Sequence, residues 1–307
     1  MDKKINVAVI GVGRLGSAHA RIYKDLAQAN LIGVCDIEKS RALSIAESLQ
    51  TQPFSDYQDL FNKVQAVSIA TPTLTHHRIT REFLLAGVNV LVEKPFTANL
   101  KEADDLLKIA EENKLLVQVG HIERFNSAFE AIKHIFSQPK FIEVHRLSGF
   151  PGRSLDIGVV LDLMIHDIDI VLGLVNSAVK RIEAVGINVL TDYEDIANAR
   201  LTFKNGCVCN LTASRISDES MRKIRIFLKN TYISLDYKNE EADIYRKVGH
   251  EITKESLWVK KEEPLKKELS SFLDCVIRKN KPLVSGLEGR QALAVALHIQ
   301  NLIWKKR

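Results

Sequence analysis

Residues 5–20 read INVAVIGVGRLGSAHA. Ile5 to Ile10 is a short β-favouring run. It breaks at once into Gly11-Val12-Gly13-Arg14-Leu15-Gly16, and a helical pattern follows to about Ala29. A G-x-G-x-x-G string is common by chance, so its context decides its meaning. Here it lies between a strand and a helix, and Asp36 closes the next apolar run, Leu31 to Cys35, twenty residues after Gly16. That is the setting a dinucleotide-binding fingerprint requires. Gly11 permits the tight turn, Gly13 lets the backbone approach a pyrophosphate, and Gly16 allows close helix–sheet packing. Arg14 and Leu15 complete the turn as further cofactor contacts. The helix N-terminus offers unpaired N–H groups to phosphate. Asp36 would accept hydrogen bonds from the adenosine ribose hydroxyls. Lys39 and Arg41 could hold a 2′-phosphate, but Asp36 would repel one, which favours NAD over NADP.

Outward from this stretch the alternation continues. Strand-like runs recur at Ala66–Ile69, Val88–Val92 and Leu115–Val119, with helical stretches at Ser40–Ser48, Thr75–Ala86 and Asn99–Glu112. Strands alternating with helices of this length predict a doubly wound parallel sheet, an α/β domain. The near-continuous apolar strands agree, because parallel strands are buried on both faces. Two strand ends carry chemistry at the carboxyl rim where ligands of such sheets bind. One is Ala70-Thr71-Pro72-Thr73; the other is Glu93-Lys94-Pro95. Pro95 biases Lys94 toward extended geometry.

From Gly120 the rhythm changes, and residues 1–121 and 122–307 are expected as two domains. Asn126–His134 reads as helix and Phe141–Arg146 as strand. Further β-like runs follow at Arg181–Leu190, Ile196–Phe203, Cys207–Ala213, Lys223–Leu228 and Tyr232–Asp236, with final helices at about Leu265–Arg278 and Leu287–Trp304. Asn205-Gly206 is a hairpin signal. This predicts an α+β domain with a mostly antiparallel, open-faced sheet, one face covered and the other free for a subunit contact.

Between those strands lies DIGVVLDLMIHDIDIVLGLV, Asp156–Val175, read as one long buried helix because it is apolar all round. Asp162, His166 and Asp169 recur at i, i+4 and i+7 and share a face. Charge in a core must be paired or neutralised. Two readings follow: a self-satisfied Asp–His pair, or an Asp that orients a His exchanging protons with substrate.

The bulk properties agree. The chain has 307 residues, 46% apolar and 26% charged, long enough for two domains with real cores. No apolar stretch approaches the ~20 residues needed to span a bilayer, and the N-terminus does not read as a signal peptide. The four cysteines are scattered, Cys207 and Cys209 forming C-x-C, so no metal site is expected and a reduced cytoplasmic setting fits. Net charge is +5, spread along the chain apart from the Lys305-Lys306-Arg307 tail, which gives little support for nucleic-acid binding.

The glycine string, Glu93-Lys94-Pro95 and Asp162-x-x-x-His166, in this order, resemble the glucose–fructose oxidoreductase / inositol dehydrogenase (Gfo/Idh/MocA) family over essentially the whole length. The resemblance implies a Rossmann domain, a C-terminal open-faced sheet that forms homodimers or homotetramers, and NAD-dependent oxidation of a sugar hydroxyl. It implies that Lys94 and His166 touch the reacting hydroxyl, with Asp162 in support. Glu93 and the Thr71–His76 loop, which includes Thr73, would lie near the nicotinamide half of the cofactor. The Lys94–Pro95 bond is often cis in such proteins. Within the family, Gly120-His121-Ile122-Glu123-Arg124-Phe125-Asn126 is similar to the dehydrogenases of nucleotide-linked amino sugars, notably UDP-N-acetylglucosamine 3-dehydrogenases. Arg124, Asn126 and Arg153 are the candidate substrate contacts, the arginines for an anionic portion. Oxidation at C3 would give a ketone, for which a downstream aminotransferase is the expected consumer. A free-sugar or inositol dehydrogenase, and a catalytically silent NAD-binding sensor on the same fold, are the alternatives.

Overall fold

A computed structural model describes residues 4–132, 135, 138–150 and 157–305. The chain begins with β1 (Ile5–Ile10), α1 (Arg14–Asp25), β2 (Ala29–Cys35), α2 (Lys39–Leu49) and the three-residue β3 (Gln52–Phe54). It continues through β4 (Ala66–Ile69), α3 (Thr73–Leu85), β5 (Asn89–Glu93), α4 (Leu100–Glu112) and β6 (Val117–Gly120). The six strands pair in the order β3-β2-β1-β4-β5-β6, all parallel. This is the doubly wound order whose direction reverses between the first and fourth strands. Buried Val7, Val9, Ala66, Val67, Val90 and Val92 explain the choice of strand, since each faces a helix layer on one side or the other.

The first helix ends at Asp25, not near Ala29. Leu26 turns extended while its N–H still bonds to Ile22 O, and Ala29 pairs with Ile5 at the start of β2. Tertiary pairing therefore claims the residues that local pattern assigns to the helix.

A second unit follows. It holds a short 3₁₀ turn reaching Phe125, then α5 (Ser127–Ile132), β7 (Phe141–Leu147), a π turn (Val160–Met164) and α6 (Ile165–Val175). Its remaining strands are β8 (Val179–Ile187), β9 (Ile196–Phe203), β10 (Val208–Ser214), β11 (Met221–Leu228), β12 (Thr231–Asp236), β13 (Glu241–Val248) and β14 (Glu251–Leu257). The sheet order is β14-β13-β12-β11-β7-β10-β9-β8, antiparallel except for β7 against β10. Asn205-Gly206 turns β9 into β10 as expected. Gly206 has φ +85°, and Asn205 Oδ1 accepts from Cys207 N at 3.1 Å. Along the sheet the side chains alternate. Ile142, Val144, Ile224, Ile226, Ile233 and Ile244 are buried in the core of this unit. The opposite face carries an aromatic ladder, Phe141–Phe227–Tyr232–Tyr245, with ring centroids 5.5, 4.9 and 5.0 Å apart across four adjacent strands. Strands β3, β13 and β14 have no counterpart in the sequence reading. β14 is exposed nearly throughout, so no apolar alternation marks it.

Two helices finish the chain, α7 (Pro264–Arg278) and α8 (Gly286–Trp304). The compact units are 1–122 with 263–290, and 123–262 with 291–307. A single cut near residue 121 does not express this return. Leu265, Leu269, Phe272 and Leu273 of α7 lie in one apolar core with Val7, Val9 and Ile22. Val119 N also donates to Val284 O at 3.0 Å.

Candidate active site

In the first unit the strand ends converge on the glycine turn. Gly11 has φ +81°, and a methyl group there would lie 2.8 Å from Thr71 Cγ2 and 2.9 Å from Ala70 O. A methyl on Gly16 would lie 1.8 Å from Gly11 O, so helix and turn touch backbone to backbone. At Gly13, the N-cap of α1, a methyl would meet nothing within 4 Å. Gly11 and Gly16 are thus taken up by protein contacts, and Gly13 leaves open space at a helix N-terminus. A dinucleotide pyrophosphate fits that space and charge.

Asp36, buried at the end of β2, closes the turn from the other side. Its Oδ2 accepts from Val12 N and its Oδ1 from Glu38 N, both at 2.9 Å. Arg41 donates to the same carboxylate and to Glu38. A carboxylate so placed suits ribose hydroxyls, and it occupies the cation that a 2′-phosphate would need.

At the next strand end Thr71 takes a hydroxyl contact from Thr75 at 2.8 Å, and Thr73 opens α3. His76 is buried. Its Nδ1 lies 2.9 Å from Pro95 O and its Nε2 2.9 Å from Thr71 O. Burial pushes its pKa down, outweighing those two carbonyls. A neutral ring has one N–H, so it donates to one carbonyl at a time. His76, expected as a cofactor contact, therefore ties the Thr71 loop to the Lys94–Pro95 peptide, which is cis. Both ring nitrogens face backbone carbonyl oxygens, and the single N–H of the neutral ring bonds to one of them.

Glu93 is buried, and Lys94 beside it is half-buried. His19 Nε2 stands 3.2 Å from Glu93 Oε1, Lys94 N donates to Glu93 Oε2 at 3.3 Å, and the carboxylate lies over Gly120, where a methyl would approach it to 2.7 Å. From sequence, His19 is one of several lone histidines with a weak case for function. Its partner is 74 positions away, His19 lying on α1 and Glu93 ending β5, and no local pattern connects them.

In the second unit Asp162 and His166, both half-buried, do not sit on one regular α-helix. Asp162 lies within the π turn and His166 in the first turn of α6. Asp156, the expected helix start, lies outside the described residues, as does Arg153. π turns inside helices are rare and frequent at functional sites. The third member of the expected face, Asp169, is buried, with Arg124 Nη1 3.8 Å from its Oδ2 and donating to its backbone oxygen at 3.0 Å. Arg124 packs against α6, and a methyl on Gly173 would come 1.8 Å from its Nη1. The guanidinium is therefore anchored to the helix that carries His166. Asn126, expected to bind substrate, is instead a structural amide. It donates to Tyr237 O, accepts from Ala128 N, both at 3.0 Å, and is 3% exposed.

Asp167 next to His166 is fully engaged in a core network. It accepts from Arg146 Nε at 2.9 Å and Nη2 at 3.0 Å, and from Tyr237 Oη at 2.5 Å, while Arg146 Nη1 reaches Glu123 at 3.1 Å. Among the described residues no cluster of His, Cys, Asp and Glu is arranged to hold a metal, and no helix is long and apolar enough to cross a membrane.

A doubly wound sheet with a glycine-lined helix N-terminus and an acidic second strand end, followed by an open-faced antiparallel sheet, is the architecture of a nicotinamide-dependent oxidoreductase. Comparison with known proteins names the group. Residues 5–121 match the model of an oxidoreductase family with an NAD-binding Rossmann fold, and residues 132–234 match the GFO/IDH/MocA C-terminal domain. The chain belongs to the GFO/IDH/MocA oxidoreductase family. It is 38% identical over 303 residues to the UDP-N-acetylglucosamine 3-dehydrogenase of Acidithiobacillus ferrooxidans, covering 96% of each chain. A solved structure of that enzyme superposes with a TM-score of 0.94 over 98% of each chain. The myo-inositol 2-dehydrogenase of Thermotoga maritima is 26% identical, over 99% of this chain and 97% of its own.

Proposed function

We propose that this protein is an NAD-dependent dehydrogenase that oxidises the 3-hydroxyl of UDP-N-acetylglucosamine to the ketone. The observation that carries the reading is the full-length similarity to an enzyme named for that activity. It stands together with the Glu93-Lys94-Pro95 and Asp162/His166 sets in this chain.

Gly11, Gly13, Arg14, Leu15, Gly16 and Asp36 would hold the adenosine and pyrophosphate half of the cofactor. Thr71, Thr73, Glu93 and Lys94 would border the other half. Bound NAD supplies the hydride acceptor. His166, oriented by Asp162, takes the hydroxyl proton as general base. Lys94 stabilises negative charge developing on the substrate oxygen, as an oxyanion-hole donor does. Glu93 fixes the backbone of Lys94 through Lys94 N. Arg153 is proposed for the diphosphate. Arg124 supports α6 and reaches substrate only through its remaining guanidinium edge.

The open sheet face with its aromatic ladder supports a homodimer or homotetramer, which sedimentation would establish. We place the reaction in the cytoplasm, where the thiols of Cys35, Cys207 and Cys209, pushed up in pKa by burial, stay reduced. A ketone formed from a secondary alcohol is returned readily by reduced cofactor, so an aminotransferase consuming it is the expected partner.

The test is reduced-nicotinamide absorbance with UDP-N-acetylglucosamine, with and without a ketone-consuming enzyme. Free N-acetylglucosamine should be a far poorer substrate, because contacts to the remote diphosphate position the reacting carbon. Robust oxidation of inositol or a free hexose, with none of the nucleotide sugar, would replace this reading by the second one.

A further inference from the structure

We propose that Glu194 is a positioning residue for catalysis, acting as the remote cap of the π turn that carries Asp162 and delivers His166. This rests on the reading of Asp162 and His166 as the proton-handling pair. A helical start leaves backbone N–H groups without partners. Val159, the residue before this turn, has no capping side chain. The chain supplies the cap from 34 positions away. Val159 N donates to Glu194 O at 2.9 Å, and Val160 N donates to Glu194 Oε1 at 3.3 Å.

The carboxylate is 0% exposed, and a buried charge persists only where donors surround it. Gln300 Nε2 donates to Oε1 at 3.2 Å, and Trp304 Nε1 donates to Oε2 at 3.1 Å, both from α8. Room for it exists because residue 158 is glycine. A methyl there would stand 2.0 Å from Glu194 Oε1. Negative charge at this end of the helix also suits its dipole.

The next residue holds the other side of the same entry. Asp195 accepts from Arg215 Nε at 2.8 Å, and Arg215 Nη1 donates to Ile157 O at 2.8 Å. Glu194 thus holds the backbone at Val160, while Asp195 orients the Arg215 that holds it at Ile157. The wide π turn keeps its shape between these grips, and with it the direction of Asp162 and His166. A glutamate that merely filled the core would have no reason to end on a backbone N–H of this turn.

The experiment uses the full chain and whichever secondary alcohol the wild type oxidises best, so it does not depend on the substrate assignment. Three readings are taken for Glu194→Ala, Glu194→Gln, Trp304→Phe and Glu194→Gln/Trp304→Phe. They are kcat at saturating cofactor, dinucleotide affinity, and hydrogen exchange of peptides covering residues 158–170. Glu194→Ala is expected to lower kcat by about 10²-fold, the cost of a misplacement near 1 Å. Dinucleotide affinity should stay within about twofold of wild type, while exchange quickens at 158–166 ahead of the rest of the unit. Glu194→Gln keeps an oxygen for Val160 N but sets its NH₂ against the Trp304 N–H, so kcat falls; Trp304→Phe removes that donor–donor conflict while leaving the amide without an acceptor, and the double variant recovers part of the loss. If Glu194→Ala does not fold, the Gln pair decides. Normal kcat per folded molecule with unchanged exchange at 158–166, or no recovery in the double variant, overturns the proposal. Absence of nucleotide-sugar oxidation by wild type overturns only the substrate reading.

Discussion

Arg41 Nη1 lies 3.1 Å from Asp36 Oδ1 and 3.2 Å from Oδ2, so the cation nearest the proposed ribose site is already neutralised. Glu38 takes its other arm. The expected consequence is preference for NAD over NADP. Asp36→Ala should weaken NAD binding about 10- to 100-fold, the worth of a hydrogen bond to a charged group. It should also release Arg41 toward a 2′-phosphate, so the gap between the two cofactors narrows. Titration of both into wild type and variant checks this; equal wild-type affinities would show that Arg41 already dominates.

The glycines separate fold from binding. Gly13→Ala adds a methyl to open space at φ −65°, so stability should change by no more than about 1 kcal/mol. Dinucleotide affinity should nevertheless drop at least tenfold, because the methyl fills the pyrophosphate's place. Gly16→Ala drives a methyl to 1.8 Å from Gly11 O and should cost about 1–3 kcal/mol as overpacking. Melting curves and calorimetric titration distinguish them, and a Gly13→Ala variant that binds normally would move the phosphate site elsewhere.

Lys94→Ala and His166→Ala should each lower turnover about 10²–10⁴-fold with cofactor affinity retained. The double variant should lose much less than the product of the two losses, since groups acting as a unit are not additive. Steady-state kinetics and cofactor titration measure both quantities. If His166→Ala melts the protein while the folded fraction keeps normal turnover, His166 is a core residue only.

Acid should unfold the second unit through Asp195. Burial opposes ionisation there, but Leu190 N–H, the Arg215 guanidinium, Val189 N–H and the Thr191 hydroxyl outweigh it and hold the carboxyl well below the usual range. An unfolded Asp takes its proton near pH ~3.9. Between that value and the lower folded one the unfolded chain binds more protons, so stability falls as pH falls. The contribution is whole above the ordinary carboxylate range and is lost below it. Asp195→Asn should cost about 3–5 kcal/mol at neutral pH by stranding buried Arg215. It should also flatten the acid side of the stability curve, read from denaturant unfolding at several pH values. An unchanged slope would assign the acid response to other groups.

Much of the first unit is legible in the chain because its signals are local. A strand, a glycine turn and a helix lie within residues 5–25, and Asp36 follows at a fixed distance along the next strand. The Asn205-Gly206 hairpin is local in the same sense. The i, i+4 face expected of Asp162 and His166 is interrupted, since Asp162 lies in a π turn and His166 in the α-helix that follows. Other features depend on partners distant in sequence. Neither His19 against Glu93 nor Glu194 against Val160 leaves a trace in neighbouring residues, and nothing local announces the backbone partners that His76, Asn126 and Arg124 hold. Residues 263–290 join the first unit because an amphipathic helix specifies only that one face be covered, not which core covers it. Local sequence determines period and turn; the assignment of each buried polar group to its partner, and so its duty, is settled by the tertiary structure, where an unpaired buried charge is too costly to leave.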